Sequence, residues 1–155
     1  MEIVLKDFRL IKIDRTNDAH INFIKEVDRD SDIKKYLFPY NDSFEDFMDT
    51  RFSGNDIFNN FFVIIYDNRI IGYIEIESFK EVKLNCALLR SERSKGLGSL
   101  LTRELIDYIL VNYPNVLSVN TLIRNENKAS IQAAINSGLE FIETKDGFTT
   151  YGKKR

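Results

Sequence analysis

The segment with the clearest chemical character is the loop at residues 93–98, which reads RSKGLG. A diphosphate needs several N–H donors at hydrogen-bond distance, and a helix N-terminus supplies unpaired N–H groups with the positive end of its dipole. Gly96 and Gly98 remove Cβ atoms where a ligand must approach the backbone, and glycine permits a positive φ. Arg93 and Lys95 add cationic charge. The 93–98 loop therefore predicts a phosphate site.

The spacing of the glycines excludes two common nucleotide loops. A Walker A loop needs Gly, four residues, Gly-Lys and then Ser or Thr, which residues 93–98 do not provide. A dinucleotide fingerprint would need its third glycine at Leu101. A glycine turn that merely starts a helix is the alternative, and the ordered strands and helices around the loop count against it.

The residue pattern around this loop predicts alternating strands and helices in one domain over residues 1–155, because no repeat or linker interrupts the chain. We predict a strand at 8–13, followed by a helix that is capped at Thr16, Asn17 or Asp18 and carries Ile21, Ile24 and Val27. A second helical stretch follows the capping box at 43–46, with Phe44, Phe47 and Met48 on one face. Strands 61–66 and 70–77 then form a hairpin around Asp67-Asn68. In the second half of the chain we predict a strand at 82–89, a helix from Leu97 that ends before Pro114, and a strand at 116–123. The next predicted helix is capped by Asn127, carries Ile131 and Ile135, and ends at Gly138. Two short strands close the chain.

This order of elements and motifs resembles the GCN5-related N-acetyltransferase (GNAT) superfamily. The family's acetyl-CoA loop reads Arg or Gln, two residues, Gly, one residue, and Gly or Ala, which residues 93–98 match. Its Asn-x-x-Ser segment corresponds to residues 127–130, and its closing Gly-Phe corresponds to Gly138 followed by Leu139. The likeness covers most of residues 60–142. The N-terminal part resembles more loosely the RimJ/RimL-like branch, which acetylates the N-termini of ribosomal proteins.

The resemblance implies an α+β (mixed α/β) fold in a single domain, with a mostly antiparallel central sheet, one splayed pair of parallel strands, and helices on both faces. Pantetheine would occupy the gap between the splayed strands. The backbone near residues 87–88 would bond the pantetheine amides, residues 93–99 would bind the pyrophosphate, and Asn127 would contact the cofactor arm. The implied cofactor-binding residues are Ala87, Leu88, Arg93, Ser94, Lys95, Gly96, Leu97, Gly98, Ser99 and Asn127.

The proton donor for the transfer step is not assigned by the sequence. An amine that attacks a thioester must be neutral, and the departing thiolate then needs a proton. The family often places a tyrosine four residues before the glycine of its last motif, where this chain has Ala134. The alternatives are Tyr108, Tyr113, Tyr151, Ser130 or a water molecule.

The general base is equally open. Glu75 and Glu77 of the predicted hairpin and Glu81 before the next strand are the candidates, although exposed carboxylates on strands usually have no chemical role. Cys86 belongs to an apolar strand, where a free cysteine is usually part of the core rather than a nucleophile. His20 is expected on the polar side of the first helix, and we assign it no role.

Aromatic residues are concentrated in the first half of the chain. We expect most of them in the core and two or three of them at an acceptor pocket. They are Tyr36, Phe38, Tyr40, Phe44, Phe47, Phe52, Phe58, Phe61 and Phe62.

Composition narrows the classes of function. With 43% apolar and 30% charged residues, and no apolar run near the roughly 18 residues of a membrane span, the chain predicts no membrane partner. The N-terminus lacks the features of a secretory signal, so a cytoplasmic location is expected. One cysteine and one histidine exclude an internal disulfide and leave too few ligands for structural zinc, so no metal is expected. Only the tail at residues 153–155 is a basic cluster, which disfavours nucleic-acid binding.

The charge distribution gives weak support to an anionic cofactor. Residues 1–80 hold 16 acidic and 11 basic residues, a net charge of −5, whereas residues 81–155 hold 8 and 11, a net charge of +3. This split suits an anionic cofactor on the second half and a cationic acceptor on the first, although random scatter also produces such differences.

Together these features predict an N-acetyltransferase that transfers the acetyl group of acetyl-CoA directly to an amine. The acceptor class is left open between a small amine, a peptide and a protein N-terminus. A non-catalytic acyl-CoA sensor or interaction module is the alternative, because the usual tyrosine is replaced by Ala134. The expected partners are acetyl-CoA and an amine acceptor, and the oligomeric state, a homodimer included, is open.

Overall fold

The computed structural model describes residues 1–51 and 53–155, so Phe52 of the aromatic set lies outside the described residues. The strands are β1 (Glu2–Val4), β2 (Arg9–Lys12), β3 (Asn60–Tyr66), β4 (Arg69–Glu77), β5 (Glu81–Leu88), β6 (Ser118–Arg124), β7 (Glu140–Lys145) and β8 (Phe148–Lys154). The helices are α1 (Asp18–Arg29), α2 (Ser31–Leu37), α3 (Phe44–Asp49), α4 (Leu97–Asn112) and α5 (Lys128–Asn136), and a 3-10 turn covers Arg90–Glu92.

The strands form one sheet in the order β1-β2-β3-β4-β5-β6-β8-β7. Every neighbouring pair is antiparallel except β5 and β6, which are parallel. The parallel pairing covers only residues 81–83 of β5 and 118–120 of β6, and the strands separate beyond it. The prediction of a mostly antiparallel sheet with one splayed parallel pair is therefore confirmed.

Helices cover both faces of this sheet, as predicted. Side chains of a strand alternate between the two faces, and β3 and β4 are apolar on both. On one face, Leu101 and Leu105 of α4 belong to a core shared with Ile74 of β4. On the other face, Phe44 of α3 packs with its ring centroid 4.5 Å from that of Tyr73. The sheet therefore has a packed core on each face.

The helix caps follow the local sequence signals. Asn17 caps α1 by accepting hydrogen bonds from the N–H groups of residues 19 and 20, and Ser43 caps α3 by accepting from Asp46. Asn127 caps α5 in the same way, and Gly138 adopts a left-handed φ of +81° where that helix ends. These residues satisfy backbone groups that a helix leaves unpaired at its ends.

Two short elements were not predicted from the sequence. β1 pairs with β2 and buries Ile3, although three residues are too few to show an alternating pattern. α2 starts directly after α1, and Asp30 both ends α1 and caps α2. The sequence analysis predicted no separate helix between α1 and the capping box at residues 43–46.

The expected exposure of His20 was wrong. His20 is only 5% exposed, and its Nδ1 accepts a hydrogen bond from the backbone N–H of Asp14 at 2.9 Å. It lies on the same helical face as the buried Phe23, Ile24 and Val27. Burial lowers the pKa of His20, so a neutral imidazole acts as a structural acceptor between α1 and the preceding loop.

The described helices include none that is both long and apolar enough to cross a membrane.

Candidate functional site

A cleft of about 630 Å³ opens where β5 and β6 separate. Residues 84–88 of β5 and 119–124 of β6 form its two main walls. α2 and α5 add residues on either side, and the 93–98 loop lies at one end. The cleft therefore joins the segments that the sequence analysis assigned to the pantetheine and the diphosphate.

The 93–98 loop turns sharply into α4. Gly96 is the N-cap of α4 with φ +76°, and Ser94 also has a positive φ of 64°. A Cβ on Gly96 would meet no atom of the described residues within 4 Å, so its φ and its open side explain the glycine. The first N–H groups of α4 have no partner within the helix, and residues 96–99 line the cleft. This is the geometry that binds phosphate oxygens.

The cationic side chains of the loop are engaged by the protein itself. The Arg93 guanidinium donates to Asp30 at 2.7 Å and to the carbonyl oxygen of Leu88 at 3.0 Å. Lys95 Nζ lies 3.4 Å from a carboxylate oxygen of Glu92. Arg93 thus ties the loop to the start of α2 and to the end of β5. The backbone of the loop, rather than these two side chains, is the part presented to a ligand.

Of the remaining residues predicted around the loop, Ser99 connects α4 and α5. The Ser99 hydroxyl is buried and donates to the carbonyl oxygen of Ala133 at 3.1 Å. Asn127 lines the cleft, and its side chain accepts a hydrogen bond from the Ser130 N–H. Leu97 is buried in the core and also lines the cleft, as Gly98 does beside it.

Residues 87–88 present one backbone edge to the cleft. β5 remains paired with β4 up to Leu88, whereas its pairing with β6 ends at Lys83. The β6-facing N–H and C=O groups beyond Lys83 therefore face the gap. They are free to pair with an extended, amide-containing chain, as the neighbouring strand would.

The carboxylates proposed as bases lie in different environments. Glu75 is only 2% exposed, so its expected exposure was wrong. Its carboxylate lies 3.3 Å from the Arg51 guanidinium and accepts from Asn85 Nδ2 at 3.0 Å. Glu77 is partly buried beside the same two residues. Glu81 is exposed at the start of β5 and is not part of the cleft lining.

Burial raises the pKa of Glu75, and the nearby Arg51 offsets this only in part. The unfolded chain releases the proton near the ordinary value of 4.5, whereas the folded chain holds it to a higher pH. Ionisation therefore favours unfolding. We expect the stability of wild type relative to Glu75→Gln to fall as pH rises above about 4.5 and to be independent of pH below it. Urea unfolding from pH 4 to 7 measures this, and a variant that becomes the less stable protein as pH rises would contradict it.

The tyrosines proposed as proton donors lie away from the cleft. Tyr108 and Tyr113 pack against each other, with ring centroids 6.3 Å apart, and Tyr151 packs against Phe141. None of the three is among the described residues that line the cleft. Tyr36 does line it, from α2, and the sequence analysis placed it only in the general aromatic set. The sequence analysis missed this role of Tyr36 because it did not predict α2, on which residues 32 and 36 share one face.

Cys86 and Ala134 also line the cleft, together with Ser130. Burial raises the pKa of the Cys86 thiol to about 12. The thiol is therefore protonated near neutral pH, which supports the expectation that it is not a nucleophile. Within the described residues, His, Cys, Asp and Glu side chains form no group of three that could hold a metal ion.

The sequence model of the acetyltransferase (GNAT) family matches residues 21–134, about three quarters of the chain. The chain belongs to this family. The predicted family and the predicted class of acyl-CoA-dependent N-acyltransferase are confirmed, and acetyl-CoA is the co-substrate of GNAT enzymes. The match includes the 93–98 loop and Ala134. None of the curated proteins matches this GNAT chain by sequence.

Solved structures share the fold over nearly the whole chain. A GNAT-family acetyltransferase from Bacillus anthracis has a TM-score of 0.72 at 16% identity and covers 98% of this chain and 96% of its own. RimL, the ribosomal L7/L12 α-N-protein acetyltransferase, in complex with coenzyme A has a TM-score of 0.73 at 14% identity. The match covers 99% of this chain and 98% of RimL. The aminoglycoside acetyltransferase AAC(6')-Ib in complex with coenzyme A and kanamycin has a TM-score of 0.67 at 17% identity. The match covers 96% of this chain and 94% of that protein. At these identities the likeness establishes the GNAT fold.

Proposed function

We propose that this GNAT protein binds acetyl-CoA in the cleft between β5 and β6 and transfers the acetyl group directly to an amine. The observation that carries the proposal is the cleft itself, because a helix N-terminus closes one end and an unpaired strand edge forms one wall. Backbone N–H groups at residues 96–99 bind the diphosphate, and the edge of residues 85–88 pairs with pantetheine. Asn127 contacts the cofactor arm.

The chemistry is one acyl transfer. The lone pair of a neutral amine attacks the thioester carbon, a C–N bond forms, and the C–S bond breaks with its electron pair on the CoA thiolate. The amine nitrogen then gives up a proton, and the thiolate takes one up. Holding both substrates in one cleft supplies much of the acceleration. For the proton donor we propose Tyr36 or Ser130, because their hydroxyl-bearing side chains line the cleft.

For the acceptor, two classes are supported by structural neighbours. RimL is an α-N-protein acetyltransferase, and AAC(6')-Ib is an aminoglycoside acetyltransferase. Their structural likeness covers 99% and 96% of this chain and so includes most of its N-terminal part. We propose a primary amine of a peptide, a protein N-terminus or a small molecule. The cytoplasmic location and a homodimer stay predictions.

Isothermal titration calorimetry with acetyl-CoA tests the first half of the proposal. We expect saturable binding and a higher melting temperature at saturating ligand, because a ligand that binds only the folded state stabilises it. Release of free CoA thiol then tests transfer, using glycinamide, a hexapeptide with N-terminal serine, putrescine and kanamycin. Binding without thiol release from any of them favours the acyl-CoA sensor, and absence of binding removes the cofactor site.

A further inference from the structure

Arg124 is a half-buried cation at the wide end of the cleft. It is the last residue of β6 and lines the cleft. Its guanidinium carbon lies 4.9 Å from the ring centroid of Phe148 and 6.0 Å from that of Tyr40. Aromatic rings attract a guanidinium without accepting conventional hydrogen bonds from its five N–H groups. The two rings therefore hold the cation and leave its N–H groups for another partner.

The described residues supply no acid that neutralises this cation. Arg124 Nε is buried and has no hydrogen-bond partner among them. None of the ion pairs that they form includes Arg124. A buried donor without an acceptor costs free energy, and an anionic ligand would offset that cost. The side chain is therefore suited to bind an anion.

The other charged residues of the described cleft lining balance one another. Arg93 is paired with Asp32, as well as with the cap of α2. Glu126 and Lys128 lie beyond the end of β6, are exposed and carry opposite charges. Within this lining, the positive charge of Arg124 is therefore the unbalanced one, and it favours an anionic group in the cleft.

Arg124 faces a side of the sheet that is open to solvent. Val119 and Ile123 of β6 belong to the core that α4 covers. Because side chains alternate along a strand, Leu122 and Arg124 point to the opposite face. Leu122 is 45% exposed, so an acceptor can approach β6 from this face. An acceptor that enters the cleft there passes Arg124.

A second groove, of about 320 Å³, continues this open face over β8. Leu122 lines both the groove and the cleft, and Phe148 lines the groove where its ring contacts Arg124. The rest of the groove lining is polar or charged: Thr150, Glu143, Lys145 and Asp146. The groove gives a chain longer than a small amine a continuous path out of the cleft. This path favours a peptide as the acceptor.

We propose that Arg124 binds an acidic side chain near the N-terminus of a peptide acceptor, an inference that rests on the proposed acetyl transfer. Arg124 lies four residues after Asn120, where β5 and β6 last pair, or about 13 Å at about 3.3 Å per residue. Pantetheine between the strands places the thioester within this interval. A peptide spans at most about 3.3–3.6 Å per residue, so the acid belongs to one of the first four residues. Its carboxylate accepts N–H bonds from the guanidinium.

The test compares wild type with Arg124→Gln and with the matched control Arg103→Gln, since Arg103 is exposed on α4 and is not part of the cleft lining. The substrates are hexapeptide amides with N-terminal serine and with glutamate, glutamine or lysine at the second, third or fourth residue. Wild type and the control should prefer glutamate to glutamine by about tenfold in kcat/KM at the best position. Arg124→Gln should lose this preference through a higher KM for the glutamate peptide.

Charge reversal gives a second readout. Arg124→Glu should prefer the lysine peptide to the glutamate peptide. Each preference is a ratio measured within one protein, so a variant that folds poorly still reports it. Calorimetric titration of the CoA complex with the N-acetylated peptides should give the same order of affinities, and it needs no turnover.

The outcomes separate this site from the proposed transfer. Equal kcat/KM for glutamate and glutamine peptides in wild type, or a preference that Arg124→Gln retains, would overturn the site at Arg124 while thiol release with glycinamide or kanamycin upholds the transferase. A tenfold loss of CoA affinity in Arg124→Gln with an unchanged peptide preference would assign the arginine to a cofactor phosphate. Wild type that binds the N-acetylated glutamate peptide selectively but releases no thiol with any amine would overturn the transfer and support the site.

Discussion

Replacing Gly96 by Asp is expected to lower the affinity for CoA by about 100-fold or more, equivalent to about 2.7 kcal/mol, while the protein stays folded. The new carboxylate stands at the N-terminus of α4, where it repels the diphosphate and competes for the same N–H groups. A Cβ at residue 96 meets no described atom within 4 Å, so packing is not disturbed. The left-handed φ of +76° costs a non-glycine residue about 1–2 kcal/mol.

Gly147→Asp is the matched control for this variant. Gly147 has φ +83° in the turn between β7 and β8, and a Cβ there also meets no described atom within 4 Å. It shares the backbone strain and the added charge but is not part of the cleft lining. Calorimetric titration with CoA and thermal unfolding of both variants separate binding from stability. Equal CoA affinities in the two variants would show that the diphosphate binds elsewhere.

The parts of this fold that the sequence predicted well depend on local interactions. The hairpin turn at Asp67 and Asn68 has both residues at positive φ, 50° and 60°, which these residue types tolerate better than most. The same holds for the caps at Asn17, Ser43 and Asn127, because each side chain bonds a backbone group within three residues. A signal that acts over so short a range is contained in the sequence itself.

The parts that the sequence missed depend on contacts between distant residues. Glu75 was expected to be exposed, but its burial follows from the register that places it opposite Asn85 and from Arg51, which approaches from outside the strand. Asn120 Oδ1 is buried without a hydrogen-bond partner among the described residues, and it fits there because Gly152, thirty-two residues later in the chain, has no Cβ. No periodicity in either segment records these pairings. The sequence therefore could not predict the side of the cleft proposed for the acceptor, whereas it did predict that the 93–98 loop turns into α4.

The ion pair between Arg93 and Asp30 connects these two sides of the cleft. Asp30 caps α2, and α2 carries Tyr36 into the cleft. Arg93 also bonds the carbonyl oxygen of Leu88, where the edge of β5 is presented to pantetheine. The loop proposed to bind the diphosphate thus fixes the helix that borders the site proposed for the acceptor. This explains why the cationic side chain of the loop is turned towards the protein while its backbone faces the ligand.

Replacing Gly72 by Ala is expected to destabilise the protein and weaken CoA binding together. Gly72 lies on β4 opposite Leu88, and a Cβ there would stand 2.1 Å from the carbonyl oxygen of Ala87 and 2.9 Å from Leu88 Cα. These are backbone atoms, so the clash can be relieved only by moving β5 away from β4. We expect a loss of about 1–3 kcal/mol in the free energy of unfolding, or about 3–10 °C in melting temperature.

The link to binding arises because the displaced residues, 87 and 88, form the edge proposed to pair with pantetheine. Gly98→Ala is the control for stability, since its Cβ would stand 3.7 Å from Leu88 Cδ1, an ordinary contact, and its φ is not positive. Alanine within the first turn of α4 should keep or raise stability, by up to about 1 kcal/mol. Thermal unfolding of the two variants measures the change in stability, and CoA titration of Gly72→Ala against wild type measures the change in affinity. A Gly72→Ala protein with wild-type stability and affinity would show that β4 and β5 are not packed this closely beside the cleft.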